Sequence, residues 1–407
     1  MLVIVTVRLS LVKLKRNQMI KKSIKMILIL CWTTAGFGQN IARVENVEIQ
    51  SKFLNQEREI LIYTPIEYDI RKHELFNVIY VFDSQDREKF DYVSSITTFL
   101  TSRNHDQAFI VVGITSPYNE ELDYSRNNDF LPVLKTQNSI ERYKPYFGNV
   151  SNFLNYVASE VVPYINSNYR TKGRNIAVGH SLGASFILYS MTEEPNLFDS
   201  YMAISPNLSY EDHFLADNLI GFDYSEIKNF TYLYLSNANE GIDFWQEWKP
   251  AREKVYALFS DDFKQNKIDV KIAEYPDENH MSTFPISVKD AFAYYFSDIY
   301  EQQENILSKN EYTVTIKVKV PNKNDDIFIT GNQENLANWN PNKIKLKKTS
   351  DFERVITLNL KSLAEFKFTR GSWETEAELK TAFGNVIIKP ESQKVYEFEI
   401  ESYYDRY

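Results

Sequence analysis

The chain has 407 residues, more than one ordinary domain needs, so length alone predicts a large domain with a smaller one beside it. An apolar fraction of 43% and a charged fraction of 25% exclude a disordered or collagen-like chain. One cysteine and five histidines without close Cys/His pairs exclude a disulfide scaffold and a zinc finger, and we expect no metal or other cofactor. A formal charge of −9 argues against nucleic acid as a partner, because Lys/Arg clusters supply most of that affinity.

The first 38 residues have the profile of an export signal. They carry seven basic residues and no acidic one, followed by an apolar run over 26–32 that is too short to span a bilayer. Gly36 and Gly38 are the small residues that a signal peptidase requires, which predicts cleavage before Gln39. A membrane anchor is the alternative, but we expect a periplasmic or secreted protein without a stable anchor.

Residues 39–309 are predicted to form an α/β domain. Helical patterns over 150–165 and 182–191 alternate with short apolar runs, which indicates a parallel sheet with right-handed crossovers and helices on both faces. An antiparallel pair is predicted to precede this sheet. The predicted strands are 44–49 and 60–63 for that pair, then 78–82, 109–114, 175–178, 201–204, 232–235 and 270–275.

Residues 310–407 are predicted to form a small all-β sandwich, because apolar residues alternate there with a period of two. The polar stretch around 301–310 places the boundary near residue 309. This segment holds 15 basic and 15 acidic residues, whereas the chain without its signal carries −16, so the excess acidity belongs to the α/β domain. The predicted strands are 312–320, 326–330, 354–358, 364–369 and 395–400.

The motif Gly179-His180-Ser181-Leu182-Gly183 is where chemistry is expected. It follows a predicted strand and opens a predicted helix, the context in which G-x-S-x-G presents a nucleophilic serine. Ser181 would occupy a strained turn, and glycines two residues on either side would avoid collisions with neighbouring elements. The amide of Leu182, at the helix N-terminus, is a predicted oxyanion donor. An inert serine in a glycine-lined turn is the alternative.

A nucleophilic serine needs a base, and in this type of fold the chain order is serine, acid, histidine. Only His213 and His280 follow Ser181. His213 comes too early, because the acid and two further strands must fit before the base. His280 follows the last predicted strand, which places it at the carboxyl edge of the sheet beside Ser181.

The acid should lie in the loop after the strand predicted over 232–235. That loop contains Glu240 and Asp243. We favour Glu240, because it comes sooner after the strand and Gly241 lets the chain turn back towards the histidine. Asp243 stays open as the alternative.

Several stretches outside the serine motif match one known family in the right order. They are Val78–Asp83, Arg126–Pro132, Phe153–Leu154, Val162–Ile165, Tyr169–Arg170 and Ile204–Pro206. Residues 44–299 thereby resemble the esterase D, or Putative esterase, branch of the α/β hydrolases, which includes feruloyl esterases, S-formylglutathione hydrolases and siderophore esterases. The resemblance implies an α/β-hydrolase fold and carboxylic ester hydrolysis.

The same resemblance implies further site residues. The loop after the first parallel strand would supply a second oxyanion amide, from Ser84 or Gln85, although family members usually have glycine where this chain has Ser84. The Arg126–Pro132 and Ile204–Pro206 stretches would border the substrate. The expected pocket residues are His180, Arg126, Asp129, Pro206 and Asn207.

In the C-terminal segment, residues 327–332, 336–341 and 365–374 resemble the starch- and glycogen-binding type of carbohydrate-binding sandwich. In that family two tryptophans stack on sugar rings, and Trp339 and Trp373 match them. A flat indole face suits the apolar C–H face of a pyranose, and Lys367 and Asn385 are expected to bind its hydroxyls. A module that only docks on the esterase is the alternative.

These features predict an exported serine esterase that removes acetyl or feruloyl groups from a carbohydrate, held near its substrate by the C-terminal module. A siderophore esterase would share the fold, but its anionic ferric substrate should require a basic pocket, for which Arg126 or Arg170 would be candidates. A non-catalytic glycan-binding or scaffolding protein is a further alternative, which the retained serine, acid and histidine disfavour.

Overall fold

The computed structural model describes residues 42–101, 107–119, 123–260, 263, 267–304, 307–380 and 384–406. The predicted export signal and its cleavage site lie outside these residues. Within the described ranges, no helix is long and apolar enough to cross a membrane.

A single eight-stranded sheet forms the centre of the α/β domain. Its strands are β1 (Arg43–Ser51), β2 (Gln56–Thr64), β3 (Phe76–Phe82), β4 (Phe109–Ile114), β7 (Thr171–His180), β8 (Ser200–Ile204), β9 (Thr231–Asn237) and β10 (Ile268–Glu274); β5 (Tyr118–Asn119) and β6 (Asp123–Tyr124) pair separately. The order is β1-β2-β4-β3-β7-β8-β9-β10. β1, β2 and β4 pair antiparallel and the rest pair parallel, which confirms the predicted mostly parallel sheet.

Helices cover both faces of this sheet, as predicted. They are α1 (Ile66–Ile70), α2 (Arg87–Thr101), α3 (Arg126–Phe130), α4 (Gln137–Tyr143), α5 (Val150–Tyr156), α6 (Val162–Asn168), α7 (Leu182–Glu193), α8 (Tyr210–Gly221), α9 (Trp248–Leu258), α10 (Thr283–Tyr294) and α11 (Tyr300–Glu304). All seven residues of β3 are buried. Val78 and Tyr80 pack with α5 and α7, whereas Ile79 and Val81 pack with α2 and α10. Successive side chains of a strand point to opposite faces, so both faces carry a core.

The C-terminal segment folds as the predicted β-sandwich. Its strands are β11 (Glu311–Lys319), β12 (Phe328–Gly331), β13 (Ile344–Lys345), β14 (Lys347–Ser350), β15 (Glu353–Lys361), β16 (Ala364–Thr369), β17 (Ala377–Leu379), β18 (Val386–Ile388) and β19 (Val395–Tyr403). They form one sheet in the order β14-β15-β11-β19-β17 and another in the order β13-β12-β16-β18. Alternate residues such as Val314, Ile316 and Phe366 fill the space between the sheets.

The sandwich packs against the α/β domain through its edge strand β18. The amide of Ile387 donates to the carbonyl oxygen of His73 at 3.0 Å, and the His73 ring meets Phe398 edge-on at 5.3 Å. His73 precedes β3, so this contact lies at the amino edge of the parallel sheet. Ser181 follows β7 at the carboxyl edge, and the ten residues of β7 span about 33 Å. The sandwich therefore leaves the edge that carries Ser181 uncovered.

Candidate active site

The candidate nucleophile Ser181 occupies the turn between β7 and α7. Its φ of 58° and ψ of −124° lie outside the regions that a residue with a side chain normally adopts. A Cβ atom on Gly179 would lie 2.4 Å from the carbonyl oxygen of Gly183, so there is no room for a side chain at that position. Glycine therefore permits the close strand-to-helix approach that this motif requires.

A histidine and a glutamate from two neighbouring loops meet at the same edge of the sheet. Nδ1 of His280 lies 2.5 Å from Oε1 of Glu240. Oε2 of Glu240 accepts a hydrogen bond from the amide of Ala238 at 2.8 Å, and this glutamate is 1% exposed. Burial raises the pKa of Glu240, but the hydrogen bond and charge of His280 outweigh burial and lower that pKa below its ordinary value. Glu240 is thus an ionised carboxylate that orients the imidazole.

The alternative acid Asp243 lies on the surface. Its carboxylate accepts a hydrogen bond from Nδ2 of Asn239 at 3.0 Å, and its side chain is exposed. The structure therefore brings Glu240, and not Asp243, to His280. Among the described residues, no group of three or more His, Cys, Asp or Glu side chains is arranged to hold a metal.

His180 connects the serine turn to the histidine loop. Its Nε2 lies 2.7 Å from the carbonyl oxygen of His280, and the two rings lie 4.6 Å apart at 33°. Burial, followed by the charge of His280, lowers the pKa of His180 to about 3, so this ring stays neutral. Since His180 directly precedes Ser181, these contacts hold the candidate base beside the candidate nucleophile.

One of the expected oxyanion donors has to be corrected. The amide of Ser84 donates to the carbonyl oxygen of Ile114 at 3.0 Å, so its single proton is already committed. Leu182 is the first residue of α7, and its amide therefore has no acceptor within that helix. Gln85 remains the second candidate for an oxyanion donor, because its backbone amide has no backbone acceptor among the described residues. Its side chain is held by a 2.9 Å hydrogen bond to Asp83.

An ion pair between the partly exposed Arg126 and the buried Asp83 supports the turn that carries Gln85. Nε and Nη2 of Arg126 donate to the two carboxylate oxygens of Asp83 at 2.7 and 2.5 Å. Asp83 is completely buried, with φ 64°. Burial raises its pKa, but the guanidinium of Arg126 outweighs burial and lowers the pKa to about 2. Arg126 was expected in the substrate pocket, and its charge is instead matched by this carboxylate.

We expect Arg126→Gln to lower the free energy of unfolding by about 3 kcal/mol at pH 7, because the variant leaves Asp83 buried without its cation. The stabilisation is complete above the ordinary pKa of Asp83, 3.8, and is lost as pH falls towards about 2. The difference from wild type should therefore shrink between pH 4 and pH 2. Urea unfolding at several pH values measures it.

Arg142→Gln is the matched control for this prediction. Arg142 pairs with Glu247 at 2.7 Å, but both side chains are substantially exposed. An exposed pair contributes less than about 1 kcal/mol. Equal losses in the two variants would contradict the structural role assigned to the Arg126–Asp83 pair.

Most of the residues expected to line the substrate pocket are buried. Those that are buried are His180, Asp129, Pro206 and Asn207. Asp129 pairs with Arg58 and accepts a hydrogen bond from Ser116 at 2.7 Å. Nδ2 of Asn207 donates to the hydroxyl of Tyr143 at 2.8 Å. The polar groups of Asp129 and Asn207 are thus bonded to neighbouring protein groups.

Two tryptophans that the sequence reasoning did not select border His280. The indole rings of Trp245 and Trp248 stack at 4.6 Å and 22°. The rings of Trp245 and His280 lie 4.8 Å apart at 81°. Both tryptophans follow Glu240 closely in the sequence. Their spacing of three residues in the segment after the acid is the pattern from which they could have been predicted.

The predicted sugar-binding tryptophans lie side by side on the sandwich. Trp339 and Trp373 have ring centroids 6.5 Å apart at 37°, and Trp373 is 41% exposed. Ala337, Asn338 and Trp339 all have positive φ, a strained conformation of the kind that clusters at ligand sites. The expected hydroxyl-binding groups have acidic partners: Nζ of Lys367 lies 2.6 Å from Glu376, and Asn385 donates to Glu365.

The mostly parallel sheet and the serine turn, with a histidine and a carboxylate at one sheet edge, define an α/β-hydrolase type of protein. A sequence profile described as Putative esterase matches residues 51–284, more than half of the chain, and the chain belongs to this family. A profile described as Starch binding domain matches residues 311–398. Both resemblances inferred from the motifs are thereby confirmed.

Among known proteins, ferri-bacillibactin esterase BesA from Bacillus subtilis (strain 168) is 24% identical over 193 residues, which are 46% of this chain and 66% of that protein. A second curated relative from the same bacterium is 26% identical and is covered over 61% of its length. This chain thus spans less than two thirds of either relative.

Two solved structures share the fold of the α/β domain. An IroE-like serine hydrolase from Shewanella oneidensis has a TM-score of 0.53 and 24% identity, and the match covers 63% of this chain and 81% of that one. The siderophore hydrolase EstA from Aspergillus nidulans has a TM-score of 0.53 and 19% identity, with 62% and 95% covered.

Proposed function

We propose that this protein is a serine hydrolase of carboxylic esters that works through an acyl-enzyme. The observation that carries the proposal is the His280–Glu240 hydrogen bond of 2.5 Å beside the strained Ser181 turn. His280 would remove the proton of Ser181 as the hydroxyl attacks the ester carbonyl. The same histidine would protonate the departing alcohol and then activate the water that releases the acid.

The protein environment would stabilise each charge that this reaction creates. The amides of Leu182 and Gln85 would bind the oxyanion, and both are backbone donors that need no movement. Glu240 would stabilise the imidazolium that forms on His280. These roles account for why the acid is buried and ionised while Asp243 is in solvent.

The substrate that we propose is an acylated carbohydrate, with acetyl or feruloyl as the acyl group. The match of residues 311–398 to a starch-binding domain supports this choice. Because the sandwich docks at the amino edge of the sheet, it could hold the protein on a glycan while the catalytic edge stays accessible. The export predicted from the first 38 residues would place the enzyme where such glycans occur.

Siderophore trilactones are the second candidate substrate, favoured by the similarity to ferri-bacillibactin esterase. The two arginines considered for its basic pocket have other partners. Arg126 is bound to Asp83, and Arg170 donates to backbone carbonyls of Arg71 and Glu74 ahead of β3. Arg170 therefore lies at the sheet edge opposite Ser181, away from the site where a siderophore esterase would require it.

A panel of esters tests the proposed substrate class. Purified protein is given acetylated xylo-oligosaccharides, methyl ferulate and a ferric catecholate trilactone at equal concentrations, and the released acid is measured. We expect the highest kcat/KM on a carbohydrate ester. Preference for the trilactone by tenfold or more would favour the siderophore candidate, and activity on no ester would contradict an esterase.

Replacing Trp339 and Trp373 with alanine should abolish retention of the protein on insoluble starch. Each truncation removes a flat apolar surface for a sugar ring, and loss of both is expected to weaken binding at least about tenfold. A pull-down measures the bound fraction, with thermal midpoints to check folding. Wild-type protein that stays in solution with starch and with xylan would contradict sugar binding by this pair.

A further inference from the structure

Trp245 is the exposed member of a small aromatic cluster around His280. It is 36% exposed, whereas its stacking partner Trp248 is 5% exposed. Its φ of 49° is unusual for a bulky residue. Strain of this kind persists only where surrounding contacts impose it, and it clusters at active sites and ligand clamps.

The distances between aromatic rings show which face of Trp245 is not covered by Trp248 or His280. Trp248 covers one face at 4.6 Å. If His280 lay on the opposite face, its ring would be separated from Trp248 by nearly the sum of the Trp245–Trp248 and Trp245–His280 distances. The distance between the His280 and Trp248 ring centroids is only 5.6 Å. His280 therefore lies beside the stack, perpendicular to both indoles, and Phe244 approaches at 5.0 Å and 70°. Neither Trp248 nor His280 covers the outer face of Trp245.

The chemistry of ester hydrolysis indicates which part of a substrate would reach this face. The carbonyl oxygen must point to the amides of Leu182 and Gln85, whereas the departing alcohol oxygen must lie near His280 to receive its proton. The body of the alcohol therefore lies on the His280 side of the site. Trp245 contacts His280 at 4.8 Å, so it borders that side.

Acidic side chains in the same two loops favour a neutral, hydroxyl-bearing alcohol. Asp243 precedes Trp245 by two residues, is exposed and accepts one hydrogen bond, from Asn239; Glu278 precedes His280 by two residues and accepts one from the hydroxyl of Ser282. Carboxylates accept hydrogen bonds from hydroxyl groups and repel anions. A pyranose presents both an apolar C–H face for the indole and hydroxyls for these carboxylates.

We propose that Trp245 is a specificity-determining residue that stacks on the sugar ring of the alcohol part of the ester. This inference rests on the proposed function. It adds that the sugar ring next to the scissile bond is itself bound at the active site. The sandwich tryptophans would hold the polymer, and Trp245 would select the acylated unit.

The test keeps the acyl group constant and varies the alcohol. Wild type and Trp245→Ala are compared on a methyl xyloside monoacetate and on ethyl acetate, with acid release followed by pH-stat titration. p-Nitrophenyl acetate is unsuitable, because its aromatic leaving group could itself stack on Trp245. We expect the ratio of kcat/KM for the xyloside to kcat/KM for ethyl acetate to fall about tenfold in Trp245→Ala and less in Trp245→Phe.

Phe352→Ala removes a more exposed aromatic side chain, 55% against 36% for Trp245, in the sandwich, and should leave the ratio unchanged. An unchanged ratio in Trp245→Ala would overturn the proposal, because both esters would then depend on Trp245 equally or not at all. Wild-type activity on ethyl acetate without activity on the xyloside would also overturn it. Failure of the wild type on both esters would instead contradict the proposed esterase function on which the inference rests.

Discussion

Ser181→Ala is expected to remove ester hydrolysis, with kcat falling by about 10⁴-fold or more. Alanine cannot form the acyl-enzyme, and what remains is the slow attack of water helped only by the oxyanion amides. The substitution removes one half-buried oxygen from a turn whose shape depends on the glycines, so the fold should be retained. Initial rates with p-nitrophenyl acetate measure the loss.

Ser151→Ala is the matched control, because Ser151 is an exposed serine on α5 whose hydroxyl lies 3.1 Å from that of Tyr189. This variant should keep wild-type rates. Diisopropyl fluorophosphate followed by intact-mass measurement adds a direct test, with one adduct expected on wild type and on Ser151→Ala and none on Ser181→Ala. Equal rates in wild type and Ser181→Ala, or an adduct on Ser181→Ala, would exclude Ser181 as the nucleophile.

The features that local sequence could predict are those imposed by short-range constraints. A glycine-flanked serine between a strand and a helix has few structural alternatives, and parallel strands must deliver their following loops to one sheet edge. This is why chain order alone predicts Ser181 and His280 at one edge, whereas the choice of Glu240 over Asp243 depended on the structure. The bounds of β4 and β16 were also predicted to the residue, because strongly apolar or alternating runs ended at polar loops.

The features that could not be predicted depend on which side chains meet across long separations. Nothing in Asp83-Ser84-Gln85 indicates that the Ser84 amide is used by Ile114 or that Asp83 is held by Arg126. A motif resemblance indicates that a stretch lies near the substrate, but it does not say which side chains face inward. Asp129 and Asn207 are therefore near the site yet buried among their own hydrogen-bond partners.

The position of the sandwich also needed the structure. Its docking strand β18 contacts His73 at the amino edge of the sheet, whereas Ser181 follows β7 at the carboxyl edge. Tethering then acts by raising the local concentration of ester sites, and it requires no direct channel from Trp339 to Ser181. On the proposed substrate, residues at the catalytic edge such as Trp245 would then select the acylated unit.

Glu240→Gln should lower kcat by about 10³-fold or more, the second-largest effect expected in this protein. The amide removes the charge that stabilises the imidazolium and lets His280 adopt the wrong tautomer. Glu240 is 1% exposed and lies 2.5 Å from His280, so water cannot readily replace it. KM should change little, because the carboxylate does not touch the substrate. Steady-state kinetics at pH 8 measure both constants.

Asp243→Asn removes a carboxylate only three residues away and is the matched control. Asp243 is exposed and bonded to Asn239, so this variant should retain kcat within about twofold.

Glu240→Asp separates charge from geometry, since it keeps the carboxylate but withdraws it by one methylene, and its kcat should fall between those of Glu240→Gln and wild type. A large loss in Asp243→Asn with near-normal Glu240→Gln would reassign the acid. Equal modest losses in both would mean that neither carboxylate is needed to orient His280, and would contradict the role proposed for Glu240.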